Sequence, residues 1–145
     1  MKNIDSTPEF VAATYDRMSK NMPILRERLG RPLGLSDKVL LSHLDDPQSQ
    51  ELNPGSSYLK IRPDRVMLQD VLGQTAMLQF MQTLKPTVAV PTTIHCDHLI
   101  QARSEGVQDL RESLSENDEV YNFLKSAAAK YGAGFWGPGA GIIHQ

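Results

Sequence analysis

Apolar positions recur at helical spacing near the start of the chain, where Phe10, Val11, Ala13, Tyr15 and Met18 form a loose stripe behind Pro8. Proline suits a first helical turn, so a helix is expected there. Pro23 is expected to break or restart it, and the run Ile24 to Leu29 leads to Gly30, a residue suited to ending a helix. Ser36 reads as the N-cap of a short helix over residues 37–44, stopped by Asp45, Asp46 and Pro47. Residues 45–57 then form a turn-rich connection around Asn53-Pro54-Gly55.

The pattern changes at Tyr58. Residues 58–61 alternate as a short strand would, and Pro63 stops them. Asp64 can cap a long helix running to about Leu84, apolar around more than one face and therefore expected to be buried between other elements. Gly73 in its interior costs about 1 kcal/mol relative to alanine unless something approaches closely. Gln69 lies one turn earlier on the same side. Thr87 to Val90 (TVAV) reads as a short buried strand stopped by Pro91. Strand, helix, strand favours an α/β unit with a parallel pair. Helices over 106–114 and about 118–131 follow, the second capped by Asn117 and ended by Gly132. The glycine-rich tail GAGFWGPGAGIIHQ implies tight backbone geometry rather than regular structure.

Composition narrows the class. With 145 residues, 40% of them hydrophobic and 22% charged, the chain has the makings of one globular domain with an ordinary core. Its 15 basic and 17 acidic residues nearly cancel, so neither nucleic acid nor an anionic membrane is an expected partner. No apolar run reaches the length of a membrane span. A single cysteine, Cys96, excludes an internal disulfide and a thiolate metal cage built from this chain alone. Residues 1–10 have neither an apolar core segment nor an arginine-rich, acid-poor character, and a cytoplasmic location of bacterial type is expected, with the mitochondrial matrix as the alternative.

His95, Cys96, Asp97 and His98 are the densest reactive cluster, and they follow the TVAV segment, where the carboxyl ends of parallel strands collect ligands. In the Asp97–His98 pair, a carboxylate can hold an imidazole protonated, ready to act as a general acid toward a leaving hydroxyl. The competing reading has both histidines simply bonding loop backbone. A zinc site from His95, Asp97 and His98 lacks any standard ligand spacing. Cys96 reads as a small buried hydrophobe. Gln69 can donate to a carboxylate ligand or bond a neighbouring helix, and Asp70 beside it reads as a solvated or capping carboxylate. Arg62 and Arg65 suit anions or helix-start ion pairs. His144 follows the glycine-rich loop and stands where a strand mouth would be.

Three segments together point further: RPDRVMLQD (62–70), VAVPTTIHCDHLI (88–100) and NFLKSAAAKYGAGFWGPGAGIIHQ (122–145) closely resemble the N-terminal domain of the aconitase family, in its monomeric mitochondrial-type aconitate hydratases. GRPLGLSDK (30–38) and HLDDP (43–47) extend the resemblance upstream, so that it covers roughly residues 20–145. Homoaconitase and the isopropylmalate dehydratase large subunit share the superfamily fold but differ around the Asp-His pair. The resemblance implies a three-layer α/β/α domain with a mostly parallel sheet, incomplete here. Residues 1–44 would be a helical lead-in and 58–145 an α/β core carrying the site segments. It puts the family's substrate-binding glutamine at Gln69, its active-site Asp-His pair at Asp97 and His98, and a further active-site histidine at His144. The implied reaction converts citrate to isocitrate through cis-aconitate, assisted by a [4Fe-4S] cluster with one iron open to substrate. The three cluster cysteines, the serine base and the substrate-binding arginines of the family lie downstream of the matched region. The chain is therefore expected to be an N-terminal piece, inactive alone, whose partner is the rest of an aconitase chain that is monomeric when complete. A stand-alone module that kept the fold without the chemistry is the competing reading. RNA binding of the iron-regulatory kind finds no basic stripe to support it.

Overall fold

The computed structural model describes residues 6–141, 143 and 144, which form two compact units, one over Ser6–Asp64 and the other from Arg65 onward. Among these residues no helix is long and apolar enough to cross a membrane.

The first unit is built on α1 (Pro8–Leu29) and α2 (Leu35–Leu41). Thr7 caps α1 by accepting from the Phe10 N–H, Pro8 opens it, and Gly30 closes it in the left-handed conformation. Pro23 neither breaks nor restarts the helix, which runs through it without interruption. The N-cap of α2 is Gly34 rather than Ser36, and the Asp37 carboxylate reaches back to accept from the Gly34 N–H (3.0 Å). Leu25, Leu33, Leu41 and Leu44 make the core, beside a buried Asn21 whose amide donates to the Ser42 carbonyl (2.8 Å). Residues 58–61 form no strand; a single antiparallel bridge between Leu44 and Ile61 is all that the alternation produces. Asp64 starts no helix either, for its carboxylate is taken by Arg17 and His43.

The second unit runs β1 (Val66–Gln69), α3 (Asp70–Gln82), β2 (Thr92–His95), α4 (Gly106–Glu116), α5 (Asp118–Tyr131) and β3 (Gly134–Trp136). The strands are all parallel in the order β1-β2-β3, with Gln69 opposite His95 and His95 opposite Trp136. This is the expected α/β class. α3 and α5 pack on the sheet and on each other, so the described helices on the sheet share one layer. Met77, Ile94, Leu124, Ala127 and Ala128 fill the space between, and Phe80 meets Tyr131 edge to face at 5.3 Å.

The strands sit where the pattern did not put them. Val66–Gln69 is strand rather than the first turn of the long helix, since a parallel partner one crossover away outweighs local propensity. The TVAV segment is irregular, its Val88 N–H bonding the Tyr131 carbonyl, and β2 begins after Pro91. Proline at that entrance loses no ladder bond as donor, while its carbonyl accepts from Val66 N–H (3.0 Å). Thr92 and Thr93 are buried with their hydroxyls satisfied, on the Val90 carbonyl and on His95 Nε2, so two residues that look polar in sequence serve as strand interior. Gly134–Trp136, in the tail expected to lack regular structure, completes the sheet.

Candidate active site

Parallel strands end on one edge, and the two ladders bring Gln69, His95 and Trp136 to that edge together. The residues that follow each strand are thereby neighbours: Asp70 after β1, Asp97 and His98 after β2, and the loop to His144 after β3.

Asp70 is the buried centre of the cluster. Its side chain has no solvent exposure, and its two oxygens are divided between neighbours: Oδ1 accepts from His98 Nδ1 (3.1 Å) and Oδ2 from the Leu99 backbone N–H (3.2 Å). The expectation of a solvated or merely capping carboxylate is corrected here. β1 delivers Asp70 to the start of α3 with its side chain turned under the loop that follows β2. Reading Val-Met-Leu-Gln as a strand would have placed Asp70 at its mouth, though not against His98.

Asp97 Oδ1 also lies close to His98 Nδ1, at 2.7 Å, but off the line of a hydrogen bond, and is otherwise unpartnered; Asp97 Oδ2 accepts from the Ile143 N–H (3.1 Å). Nδ1 thus faces two carboxylates. An ionised carboxylate only accepts, so the Asp70 contact suits a hydrogen on Nδ1 and leaves Nε2 outside that bond. That Nε2 lies 2.9 Å from Nε2 of the exposed His144, the rings meeting edge to face. The structure therefore brings Asp97, His98 and His144 together, with Asp70 added beneath.

The other candidates separate. His95 stacks on Trp136 (5.2 Å between centroids, 17° between planes) and bonds Thr93. Burial first, and Arg65 second, lower its pKa against an opposing pull from Asp97, which suits a neutral ring rather than a proton donor. Cys96 is buried, and burial with the nearby Asp70 and Asp97 pushes its thiol up to about 12. The Gln69 oxygen caps α3, accepting from the Val71 and Leu72 N–H groups, and Gln69 is not on a helix face at all. Arg62 pairs with Asp45. Potential ligand atoms of Asp70, Asp97 and His98 lie within 4.8 Å of one another, without His95, but they already engage each other.

The loop bearing Asp97 and His98 is tied down from behind. Ser113 on α4 donates to the Leu99 carbonyl (2.9 Å) and meets the Tyr121 hydroxyl (2.6 Å). Buried Asp109 accepts from the Arg103 and Ser104 N–H groups. An imidazole in such a setting can be held in one tautomer and present one nitrogen to a ligand at the sheet edge.

Comparison with known proteins is consistent across the chain. A sequence profile of the aconitase family (aconitate hydratase) matches residues 37–145. The mitochondrial aconitate hydratase of Aspergillus fumigatus is 59% identical over 131 residues, which is 90% of this chain and 17% of that protein. A probable mitochondrial aconitate hydratase of Caenorhabditis elegans is 54% identical, and the mitochondrial aconitate hydratase of Saccharomyces cerevisiae 53%, over the same shares. The chain thus spans about a sixth of the length of these relatives. Their names overturn the expectation of a bacterial-type cytoplasmic enzyme: all three are mitochondrial proteins, and the missing leader pattern in residues 1–10 carried no information about compartment.

Proposed function

The chain belongs to the aconitase family, and from that premise we propose that it supplies the proton-donating side of an aconitate hydratase site in a mitochondrial enzyme. The reaction is reversible dehydration of citrate to cis-aconitate and rehydration to isocitrate, and the rest of the site comes from the remainder of an aconitase chain, which acts as a monomer. The observation that carries this reading is His98, clamped through Nδ1 between two carboxylates with Nε2 directed to the carboxyl edge of a parallel sheet.

In the dehydration direction His98 gives the Nε2 proton to the departing hydroxyl, which leaves as water. In hydration it takes the proton back from water. The imidazolium formed between turns is stabilised by Asp97 and Asp70 at its other nitrogen. His144, 2.9 Å away, takes or returns the exchanged proton. Gln69 stands at the end of β1 with its oxygen committed to the helix cap, which leaves its amide group to donate to a substrate carboxylate.

The family implies an iron–sulfur cluster in the complete enzyme. Such clusters are held by cysteine thiolates. Cys96 is fully enclosed and holds its proton up to about 12, so the donor set of this chain does not fit the cluster, and the chemistry proposed for it is proton transfer and substrate orientation alone.

The test is a chimera: the Saccharomyces cerevisiae relative with its matching segment replaced by that of this chain, assayed for cis-aconitate formation from citrate. Turnover is expected, and His98→Ala should lower it by about two to four orders of magnitude. A chimera that turns over equally well with and without His98 would sink the proposal.

A further inference from the structure

We propose that Asp70 is the positioning residue of the site, the buried carboxylate that fixes His98 as the Nδ1–H tautomer and so makes Nε2 the proton-exchanging atom. This rests on the role given to His98 above and deepens it. Two carboxylates face Nδ1, and they are not equivalent. Asp97 is next to His98 in the chain, closer to Nδ1 at 2.7 Å but misaligned, and one of its oxygens is spent on the Ile143 N–H. Asp70 is the first residue of α3, just beyond β1, has no solvent exposure, and alone meets the geometry of a hydrogen bond to that nitrogen. Its second oxygen holds the Leu99 N–H, so one rigid carboxylate grips both the imidazole and the backbone just beyond it.

The consequence for protons is definite. Neutral histidine in water carries its proton mainly on Nε2, the form that could not accept at the substrate edge. With Nδ1–H committed to Asp70, neutral His98 has a bare Nε2 that accepts from His144 or from water, and protonated His98 donates from Nε2. The two Nε2 atoms 2.9 Å apart share a single proton, because two N–H groups cannot point at each other at that distance. The charged or titratable groups facing His98 are Asp70, Asp97 and His144, with the Cys96 thiol behind Asp70 remaining neutral.

Asp70→Asn keeps the shape and removes the charge. In the active chimera it should lower kcat about 10- to 100-fold with KM changed by less than about threefold. The limb of the pH profile at which His98 loses its proton should move to lower pH, since a carboxylate that favours the imidazolium is gone. A merely structural Asp70 would reduce the active fraction without moving that limb. An unmoved limb with kcat within about twofold of wild type, while His98→Ala still abolishes turnover, would overturn the role of Asp70 and leave that of His98 standing. Loss of effect at His98→Ala would instead overturn the underlying reading. Should Asp70→Asn fail to fold, the wild-type protein decides: ¹⁵N-histidine NMR should find neutral His98 as the Nδ1–H form, and an Nε2–H form with bare Nδ1 would refute the proposal.

Discussion

Gln69 has two duties in one side chain. Its oxygen closes the first turn of α3 through Val71 and Leu72, a task usually given to shorter side chains, while its amide remains for a ligand. Gln69→Ala should therefore cost about 1 kcal/mol of stability in denaturant melts, as other lost caps do. It should also raise KM in the active chimera more than it lowers kcat. Weaker substrate binding with unaltered stability would show that the cap carries no weight. Residue by residue, proximity was legible where it is written in adjacent letters, as in Asp97-His98. Asp70 was not, because its partners are 28 and 29 residues away and only a parallel ladder brings them to it. Cys96 read correctly as a small buried side chain, since burial and two nearby carboxylates leave nothing to ionise the thiol.

At the level of elements, the glycine ends of helices were readable, whereas the expected N-caps Ser36, Asp64 and Asn117 were not: Asn117 makes no cap bond to α5 and donates to the Ser113 carbonyl of α4 instead (3.1 Å). Pro8, Gly30 and Gly132 act as their local chemistry dictates, and α5 occupies the residues its pattern assigns. Strands were misplaced throughout, because strands of three or four residues are too short to show a periodicity of their own and two buried positions of β2 are threonines. The start of α2 offers a test at this scale. Arg31 grips Asp37 (Nη1 to Oδ2, 2.7 Å) and the Gly34 N–H adds a second bond, which together hold the carboxyl at about 2 instead of 3.8. A lowered folded value means that the clasp is fully present above 3.8 and is lost as pH falls toward 2. The Asp37 carboxyl resonance should titrate near 2, and a midpoint near 3.8 would show the clasp open in solution.

On the scale of the whole molecule, the described sheet has three strands, so β1 and β3 both present a free edge. Met67 on β1, Leu72 on α3 and Leu84 just beyond it are 55%, 70% and 90% exposed, a combination that invites pairing with other chains. The isolated chain is expected to associate as its concentration rises, measurable by sedimentation velocity; a monomer with a sharp two-state melt would argue against it. The same ladder has a second consequence. The carboxylate that holds His98 follows directly on β1 and the imidazole stands in the loop after β2, and their 3.1 Å bond depends on the register that sets Gln69 opposite His95. A slip of one residue moves Asp70 by about 3.3 Å and turns alternate side chains to the opposite face. Misassembled copies are therefore silent rather than sluggish. Turnover in such a protein counts correctly registered molecules, and the histidine proposed to move the proton also audits the assembly of the sheet beneath it.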